Sequence, residues 1–323
     1  MRIAVSGSIA TDHLMTFAGR FAEQLLADQL ASISVSFLVD DLDVRRGGVA
    51  GNICFGLGTL GLHPVIVGAV GNDFAEYREW LERHGVDTSG VRVSETRHTA
   101  RFVCTTDTDQ NQIASFYPGA MSESAQIDLG TLGQLDLVLI SPTAPDAMLA
   151  HSAYCRAHGV PFAADPSQQL ASLDGATITA LLDGAQILFC NAYEAALLES
   201  KTGMSAEAVL VVVGTRVTTH GADGVLIEQN GQDELRVSVV PTDQIVDPTG
   251  VGDAFRAGFL AGRSWGLSFE RAAQLGSLLA TLCLESLGPQ EYTLDAAAAR
   301  ARLVSAYGED AAAEIAAHLQ PDM

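Results

Sequence analysis

Short apolar runs alternate with helix-like patterns along most of the chain, and glycine-rich polar turns separate them. Residues 3–5, 64–70 and 137–140 are uninterrupted apolar runs, as in strands that are buried on both faces. Because helical apolar spacing follows several of these runs, the chain is predicted to be an α/β protein with a central, mainly parallel sheet sandwiched between helices. Further strands are predicted at 161–164 and 187–190, a hairpin over 225–239, and helices over 53–60, 146–158, 252–262, 269–284 and one or two within 295–318.

The pattern changes between residues 91 and 119. We interpret 99–105 and 113–117 as antiparallel strands around a polar tip, and the alternating segment 33–39 is predicted to join them in a small separate sheet. The expected organisation is a single α/β domain over 1–323, with a small β-sheet lid formed by two insertions at about 12–46 and 92–119.

Composition narrows the class of partner. The formal net charge is −21, which argues against nucleic acid and acidic membrane surfaces as ligands. Lys201 is the single lysine, so a P-loop of the form G-x-x-x-x-G-K-[ST] is excluded. A phosphate site must therefore use backbone amides, arginine and metal. No G-x-G-x-x-G with an acidic partner follows the first strand, which argues against a dinucleotide-binding dehydrogenase.

The cysteines and the apolar runs indicate the cellular compartment. The five cysteines are widely spaced and form no C-x-x-C pair, so we interpret them as small core residues in a reducing environment. No apolar run is long enough for a signal peptide or a membrane span. The expected location is the cytoplasm.

The glycine-rich turn at residues 247–253 combines features that favour anion binding. Pro248 fixes one backbone angle, while Gly250 and Gly252 allow conformations that a side chain forbids. A helical pattern begins there, so unpaired amides and the helix dipole are predicted to attract negative charge. Asp253 repels phosphate and is more useful as a base than as a ligand. The alternative is an ordinary turn with Asp253 as a first-turn helix residue.

Several turns together resemble the ribokinase-like (PfkB) family of carbohydrate and nucleoside kinases. Residues 247–255 are similar to its D-T-x-G-A-G-D-x-F signature, with Pro248 in place of the usual threonine step and Val251 in place of alanine. The other matches follow family order: G-G-x-x-x-N at 47–52, a stretch resembling V-G-x-D-x-F at 68–74, N-x-x-E at 191–194 and T-x-G-x-x-G at 219–224.

The resemblance implies ATP-dependent phosphate transfer to an alcohol group, with ATP and Mg²⁺ as cofactors and K⁺ left open. It implies Asp253 as the general base, the amides of Gly250, Val251 and Gly252 around the transferring phosphoryl group, and Glu194 as the residue that orients the metal. Helix capping by Glu194 is the alternative. The implied nucleotide-binding residues, for which an ordinary turn is the alternative, are Asn191, Thr219, His220, Gly221, Ala222, Asp223, Gly224 and Gly252.

The acceptor site of this family is formed by an aspartate on the first turn, the Gly-Gly element and its asparagine, which here are Asp12, Gly48 and Asn52. A carboxylate that accepts from two neighbouring hydroxyls suits a ribose diol, and a turn-capping role for Asp12 is the alternative. Phe102 and Phe116 lie on facing predicted lid strands, where two phenyl faces would sandwich a purine. Simple packing of the lid is the alternative for both.

Within the family, the chain closely resembles the adenosine kinases of mycobacteria and related actinobacteria over residues 7–14, 36–42, 46–52, 113–122, 163–170 and 247–260. That resemblance implies adenosine as the acceptor, phosphorylated at its 5′-hydroxyl, and a homodimer that forms through the lid with the edge at 33–39 covered by the partner. The implied nucleoside site comprises Ser8, Asp12, Ser36, Gly48 and Asn52 at the ribose, Phe102 and Phe116 at the adenine, and Gln168 and Gln169 as further contacts.

Other functions stay open at this point. One alternative is a ribokinase-like sugar kinase or a kinase for another nucleoside such as guanosine or inosine. A second alternative, of a different class, is a non-catalytic nucleoside-binding protein. Arg256 and Arg263 follow the glycine-rich turn, and we interpret them as exposed helix arginines in preference to phosphate partners.

Overall fold

Two β-sheets organise the protein in the computed structural model, which describes residues 1–25, 32 and 34–319. Within these residues, nine strands form the main sheet and four form a small separate sheet, which we call the lid sheet. The strands are β1 Ile3–Ser6, β2 Ala10–Thr16, β3 Asp41–Gly47, β4 Val65–Val70, β5 Val91–Val93, β6 Ala100–Thr106, β7 Gln112–Tyr117, β8 Leu137–Ile140, β9 Phe162–Ala164, β10 Ile187–Asn191, β11 Thr215–Thr219, β12 Val225–Gln229 and β13 Leu235–Val237.

The main sheet has the order β13-β12-β11-β10-β9-β8-β1-β4-β5. Pairing is parallel from β5 to β11, and β12 and β13 add an antiparallel edge. The central strands β1, β4 and β8 are buried at every residue, as their uninterrupted apolar runs predict. The predicted α/β fold with a mainly parallel central sheet is confirmed.

Helices cover both faces of the main sheet. Buried residues of α2, α3 and α8–α11 form one core against it, and those of α4–α7 form the other. The longest pair, α8 and α9, packs closely because both carry glycine at the contact: a Cβ on Gly258 would lie 2.7 Å from the Cα of Gly276. The helices are α1 Phe21–Gln24, α2 Val49–Thr59, α3 Ala75–Arg83, α4 Pro145–His158, α5 Gly175–Leu182, α6 Ala192–Thr202, α7 Ala206–Val213, α8 Val251–Ser264, α9 Phe269–Leu284, α10 Ala296–Tyr307 and α11 Glu309–Ala316.

The lid sheet has the order β3-β2-β6-β7 and lies apart from the main sheet. Asp73, after β4, ties the two together: its carboxylate accepts from the backbone and hydroxyl of Thr99 and from Arg101 at the start of β6. These donors hold the pKa of Asp73 down to about 2 against the effect of burial. The stretch resembling V-G-x-D-x-F therefore has a structural role at the base of the lid sheet.

The predicted strand at 33–39 is wrong for residues 34–39, which pair with no strand, while Ile33 lies outside the described residues. The ring of Phe37 instead packs 5.1 Å from that of Phe17 and 4.9 Å from that of Phe21. A local aromatic cluster thus partly buries Phe37, which the alternating pattern assigned to a strand. The lid strand is β3, so the lid edges are β3 and β7.

Other sequence predictions concern the cysteines and the membrane. All five cysteines, Cys54, Cys104, Cys155, Cys190 and Cys283, are buried and free, which confirms them as core residues. In the described ranges, the helices are too short or too polar to cross a bilayer.

Candidate active site

The turns with candidate chemistry meet at the carboxyl ends of the parallel strands, where ligands of open α/β sheets bind. Ser8 follows β1, Asp165 follows β9, and Asn191 and Thr219 end the neighbouring strands β10 and β11. The start of α8 joins them, because its Arg256 bonds to Asp165. One edge of the main sheet therefore brings together the turns that carry candidate chemistry.

The start of α8 is shaped as an anion-binding turn. Gly250 is its N-cap residue with a left-handed φ of 76°, and a Cβ there would lie 2.3 Å from Pro289, so a larger residue does not fit. The amide of Val251 makes a long 3.4 Å bond to the Pro248 carbonyl. The amide of Gly252, in the first turn of the helix, has no carbonyl partner inside the helix. These amides are available to an anion.

Asp253 lies in the first turn of α8 and accepts a hydrogen bond of 2.8 Å from Nδ2 of Asn52 on α2. Burial raises the pKa of its carboxyl from 3.8 to about 7, although Asn52 and the nearby Arg256 oppose the rise. A carboxyl with a pKa near neutrality is suited to exchange a proton with a hydroxyl group. The structure thus places a carboxyl with a raised pKa and a turn with available amides within one helical turn.

Arg256 is not the exposed helix arginine that we predicted. Its guanidinium is buried: Nη2 donates to Oδ1 of Asp165 at 2.7 Å, Nη1 donates to the Gly252 carbonyl at 3.0 Å, and Nε forms an ion pair of 2.6 Å with Oδ2 of Asp165. The apolar setting at the sheet end requires this pairing, because an unpaired buried charge is strongly unfavourable. Arg263, which is half-buried, donates to the carbonyl of Leu267. Both arginines therefore bond to the protein itself.

The Gly-Gly element packs directly onto the turn after β1. Gly48 has a left-handed φ of 87°, and a Cβ there would lie 2.6 Å from the Ser8 carbonyl oxygen. The Ser8 hydroxyl accepts from the amide of Val49 at 3.0 Å and so caps the start of α2. A Cβ on Gly47 would approach the Asp12 carboxylate to 2.9 Å. Both glycines are therefore required to keep this corner open around Asp12.

Asp12, Phe102 and Phe116 form one row across the lid sheet. Asp12 pairs in register with Phe102, and Phe102 with Phe116, so the three side chains share one face of the sheet. Phe116 is 53% exposed. Burial raises the pKa of Asp12 to about 6, which Arg45 on the neighbouring strand opposes. A carboxylate and two phenyl rings thus lie side by side on one surface.

Glu194 and Asn191 form a capping box at the start of α6. Oε2 of Glu194 accepts from the Asn191 amide at 2.8 Å, and Oδ1 of Asn191 accepts from the Glu194 amide at 2.9 Å. Oε1 of Glu194 accepts from Ser167 at 3.2 Å. Ser167 has an unusual φ of 42° for a non-glycine residue, and such strained backbone concentrates at functional sites. The capping alternative is therefore observed, and the metal-orienting role stays a prediction.

A cavity of about 130 Å³ lies beside the start of α8 and opens next to the glycine turn after β11. Thr219, Gly221, Gly224 and Gly252, all predicted nucleotide residues, line it. The predicted residues His220, Ala222 and Asp223 lie in the same turn after β11 but outside the cavity lining, and Asn191 lies at the end of the neighbouring strand β10, also outside it. Val251, a predicted phosphoryl-binding residue, and Phe255, the last residue of the signature at 247–255, also line it. The remaining lining residues, which carry no motif and which sequence reasoning missed, are Val225, Val237, Ser238, Val239, Ser277 and Ala280.

The other predicted nucleoside residues occupy different settings. Gln168 is exposed in the turn after β9, with its side chain open to solvent. Gln169 uses both ends of its amide internally, donating to the Thr143 carbonyl at 2.8 Å and accepting from Ser172 at 2.9 Å. Ser36 is exposed in the irregular segment before β3. The structure does not bring Ser36 into the hydrogen-bonded site around Asp253.

Comparison with known proteins identifies relatives across most of the chain. The sequence model of the pfkB family of carbohydrate kinases matches residues 10–297. The nucleoside kinase of Methanothermobacter thermautotrophicus is 28% identical over 286 residues, covering 87% of this chain and 92% of that protein. The ribokinase of Bacillus subtilis is 26% identical over 296 residues, covering 89% and 94%. The structure of Burkholderia thailandensis nucleoside kinase in complex with inosine aligns with a TM-score of 0.83 at 35% identity, covering 95% of this chain and 98% of that one.

Proposed function

The chain belongs to the pfkB family of carbohydrate kinases, and we propose that within this family it is an adenosine kinase. As a family member it is an ATP-dependent phosphotransferase of the nucleoside and sugar kinase type. The proposed reaction transfers the γ-phosphate of ATP to the 5′-hydroxyl of adenosine and yields AMP and ADP. Such an enzyme serves purine salvage.

The row of Asp12, Phe102 and Phe116 on the lid sheet carries this proposal. A carboxylate can accept hydrogen bonds from both hydroxyls of a vicinal diol. The two phenyl rings on the same face offer an apolar surface on which a purine base can stack, whereas a free sugar has no aromatic group to place there. Stacking of a purine on such rings contributes roughly 1–3 kcal/mol per aromatic partner, by analogy with base stacking in nucleic-acid complexes. The similarity to a nucleoside kinase solved with inosine supports a purine nucleoside as the acceptor.

The residues around α8 supply the chemistry. Asp253 accepts the proton of the 5′-hydroxyl as that oxygen forms a bond to the γ-phosphorus, and the bond from phosphorus to the bridging oxygen of ADP breaks. The amides of Gly250, Val251 and Gly252 hold the charge of the phosphoryl group in transit. Ser8, Gly48 and Asn52 hold the ribose beside Asp12, and Thr219 to Gly224 hold ATP in the cavity next to α8.

The residues at the site fit Mg²⁺, which retains several waters and binds through one or two carboxylates together with substrate phosphates. Glu194 would hold it, because its carboxylate accepts from neutral donors only and so keeps its charge for the waters of the ion. The nearby Asp165 is already neutralised by Arg256. When bound, the ion supplies positive charge to the phosphates of ATP.

A homodimer through the lid sheet is part of the proposal. The edge strand β7 is exposed at all six residues, and unpaired edge strands invite a partner strand. Val44 and Ile113 are each about half exposed on the face opposite Asp12. Light scattering of the wild type should give the mass of a dimer, and charged substitutions at both positions should give the monomer.

A substrate panel tests the proposed function. Initial rates with ATP and Mg²⁺ should give the highest kcat/KM for adenosine among adenosine, inosine, guanosine, ribose and fructose. Ribose or fructose far ahead of every nucleoside would contradict the proposal. A preference for inosine would identify a second candidate, a purine nucleoside kinase of wider range, which the inosine complex of the Burkholderia relative favours.

A pair of variants tests the role assigned to the aromatic row. Phe116→Ala should raise KM for adenosine about tenfold or more, since a lost stack of 1.4 kcal/mol corresponds to roughly tenfold in affinity. Val93→Ala is the matched control, because Val93 is an apolar side chain of similar exposure on the edge strand β5 of the main sheet, outside the lid sheet. Equal KM values for the two variants would contradict purine stacking at Phe116.

A further inference from the structure

A series of buried side-chain hydrogen bonds runs from the Gly47 carbonyl to Asp253. The hydroxyl of Tyr77 donates to that carbonyl at 2.9 Å. Nε2 of Gln290 donates to the Tyr77 oxygen at 2.5 Å and to Oδ1 of Asn52 at 2.9 Å. Nδ2 of Asn52 then donates to Asp253 at 2.8 Å. Gln290, Tyr77 and Asn52 are 1%, 4% and 6% exposed, so water does not replace these partners.

The Gly47 carbonyl fixes the direction of every bond in the series. A carbonyl only accepts, so the single proton of the Tyr77 hydroxyl is used there and its oxygen must accept from the next residue. The group of Gln290 that faces Tyr77 is therefore its NH₂, and the second hydrogen of that NH₂ goes to Asn52. Asn52 consequently turns its own NH₂ toward Asp253.

The surrounding structure keeps this orientation in place. A Cβ on Gly51 would lie 2.1 Å from the Tyr77 oxygen and 3.3 Å from Nε2 of Gln290, so a glycine is needed for the bonds to form. Within the described residues, Oε1 of Gln290 is buried without a partner. Turning the amide over would place that oxygen on Tyr77 and leave the Gly47 carbonyl without its donor.

We propose that Gln290 is a positioning residue for the reaction: by donating to Oδ1 of Asn52, it holds an N–H of Asn52 directed at the carboxylate of Asp253. The role of Asp253 as the base rests on the proposed function, whereas the directions of the bonds do not. An ionised carboxylate accepts this N–H, so the fixed donor favours the form of Asp253 that takes up a proton. The second N–H of Asn52 remains for the acceptor substrate.

The other groups that act on Asp253 come from several elements and are separate from this series. Those that act through charge are Arg256 on α8 itself, Asp165 after β9 and Glu194 on α6. Cys283 on α9 and Tyr292 beyond it also lie near Asp253, but they are neutral in the range where it titrates, because burial raises the pKa of both. A substitution at Gln290 leaves all of them in place, so a change in the titration of Asp253 would report on Asn52.

Gln290→Met tests the proposal, since methionine keeps the size of the side chain but removes its donors. Carbon-13 NMR of labelled aspartate carboxyls follows Asp253 directly, with its signal identified by its loss in Asp253→Asn. We expect the titration midpoint of Asp253 to rise by about half a unit to one unit. The acid limb of kcat/KM should move by the same amount, so that the rate at pH 7 falls about two- to fivefold and recovers at high pH.

Two further variants complete the design. Tyr77→Phe keeps Gln290 but removes the oxygen that orients it. It should therefore raise the titration midpoint of Asp253 by a smaller amount than Gln290→Met does. If Gln290→Met does not fold, the midpoint in Tyr77→Phe tests the proposal on its own. Tyr292→Phe is the matched control, since it removes a buried hydroxyl without a partner in the described part of the chain, and it should leave the midpoint unchanged.

An Asp253 midpoint equal to that of the wild type in folded Gln290→Met and Tyr77→Phe would overturn the proposal. A purely structural role for Gln290 would lower stability or the rate at every pH and leave the midpoint alone. If the wild type phosphorylated no acceptor on the panel, the proposed function would fail, whereas the NMR titration would still decide on Gln290.

Discussion

Asp253→Asn should make the protein more stable at neutral and alkaline pH while abolishing its activity. The substitution keeps the shape of the side chain and an oxygen that accepts from Asn52, but it removes a charge that burial disfavours. The carboxyl has a folded pKa of about 7 against 3.8 for an ordinary aspartate. It therefore holds its proton more tightly in the folded than in the unfolded protein.

The pH window follows from the sign of this difference. Because the folded state binds more protons, the free energy of unfolding of the wild type falls as the pH rises from about 3.8 to about 7, and no further change from this group occurs above that range. A shift of about three units at 1.36 kcal/mol per unit gives an upper value of about 4 kcal/mol. Asp253 borders the cleft and is partly exposed, so water reduces the cost and we expect about 2 kcal/mol.

Urea unfolding followed by circular dichroism at several pH values measures this effect. The variant and the wild type should have equal stability near pH 4, and the variant should gain about 2 kcal/mol by pH 8. Asp243→Asn, on the exposed surface, is the matched control and should show no such gain. If Asp253→Asn were no more stable than the wild type at pH 8, the raised pKa and the account of Asp253 as a buried base would be refuted.

Three further outcomes are expected. The value of kcat/KM should fall below about pH 7 as Asp253 takes up a proton, and more steeply below about pH 6 as Asp12 also takes one up. Asp12→Asn should remove the second decrease and raise KM for the acceptor. Arg256→Met should destabilise the fold by about 3–5 kcal/mol in urea unfolding because it leaves Asp165 unpaired, whereas a double variant with Asp165→Leu should recover much of that loss. Glu194→Gln should raise the Mg²⁺ concentration for half-maximal rate with little change in KM for adenosine, measured by metal titration.

The positions of the turns could be predicted from the sequence because each depends on local rules. Gly48 and Gly250 occupy left-handed backbone at the starts of α2 and α8, a conformation that glycine adopts without strain. Both glycines precede helical patterns in the sequence. The turns that follow parallel strands lie at the same edge of a sheet. Local signals thus place the corner around Asp12 and the turn before Asp253 at one site.

Features that depend on distant partners could not be predicted. Arg256 is buried because Asp165, 91 residues away, lies beside it, and no spacing rule links the two. Gln290 contacts Asn52 across 238 residues and belongs to no motif that we recognised. The predicted strand around Phe37 is wrong for a related reason: an apolar side chain in an alternating pattern can be buried by a strand partner or equally well by a nearby aromatic cluster.

The distribution of charge decides how the site handles a phosphoryl group. With a single lysine in the chain, arginine is the remaining fixed cation, and Arg256, which lies beside the glycine-rich turn, is paired with the carboxylate of Asp165. Arg256 also donates to the Gly252 carbonyl, so it holds the turn in shape and is occupied by partners within the protein. In the proposed reaction, the charge of the phosphoryl group would therefore be stabilised by the amides of the turn and by the metal. For that reason the geometry of Gly250 and Gly252 should matter more to the rate than any single cationic side chain near the turn.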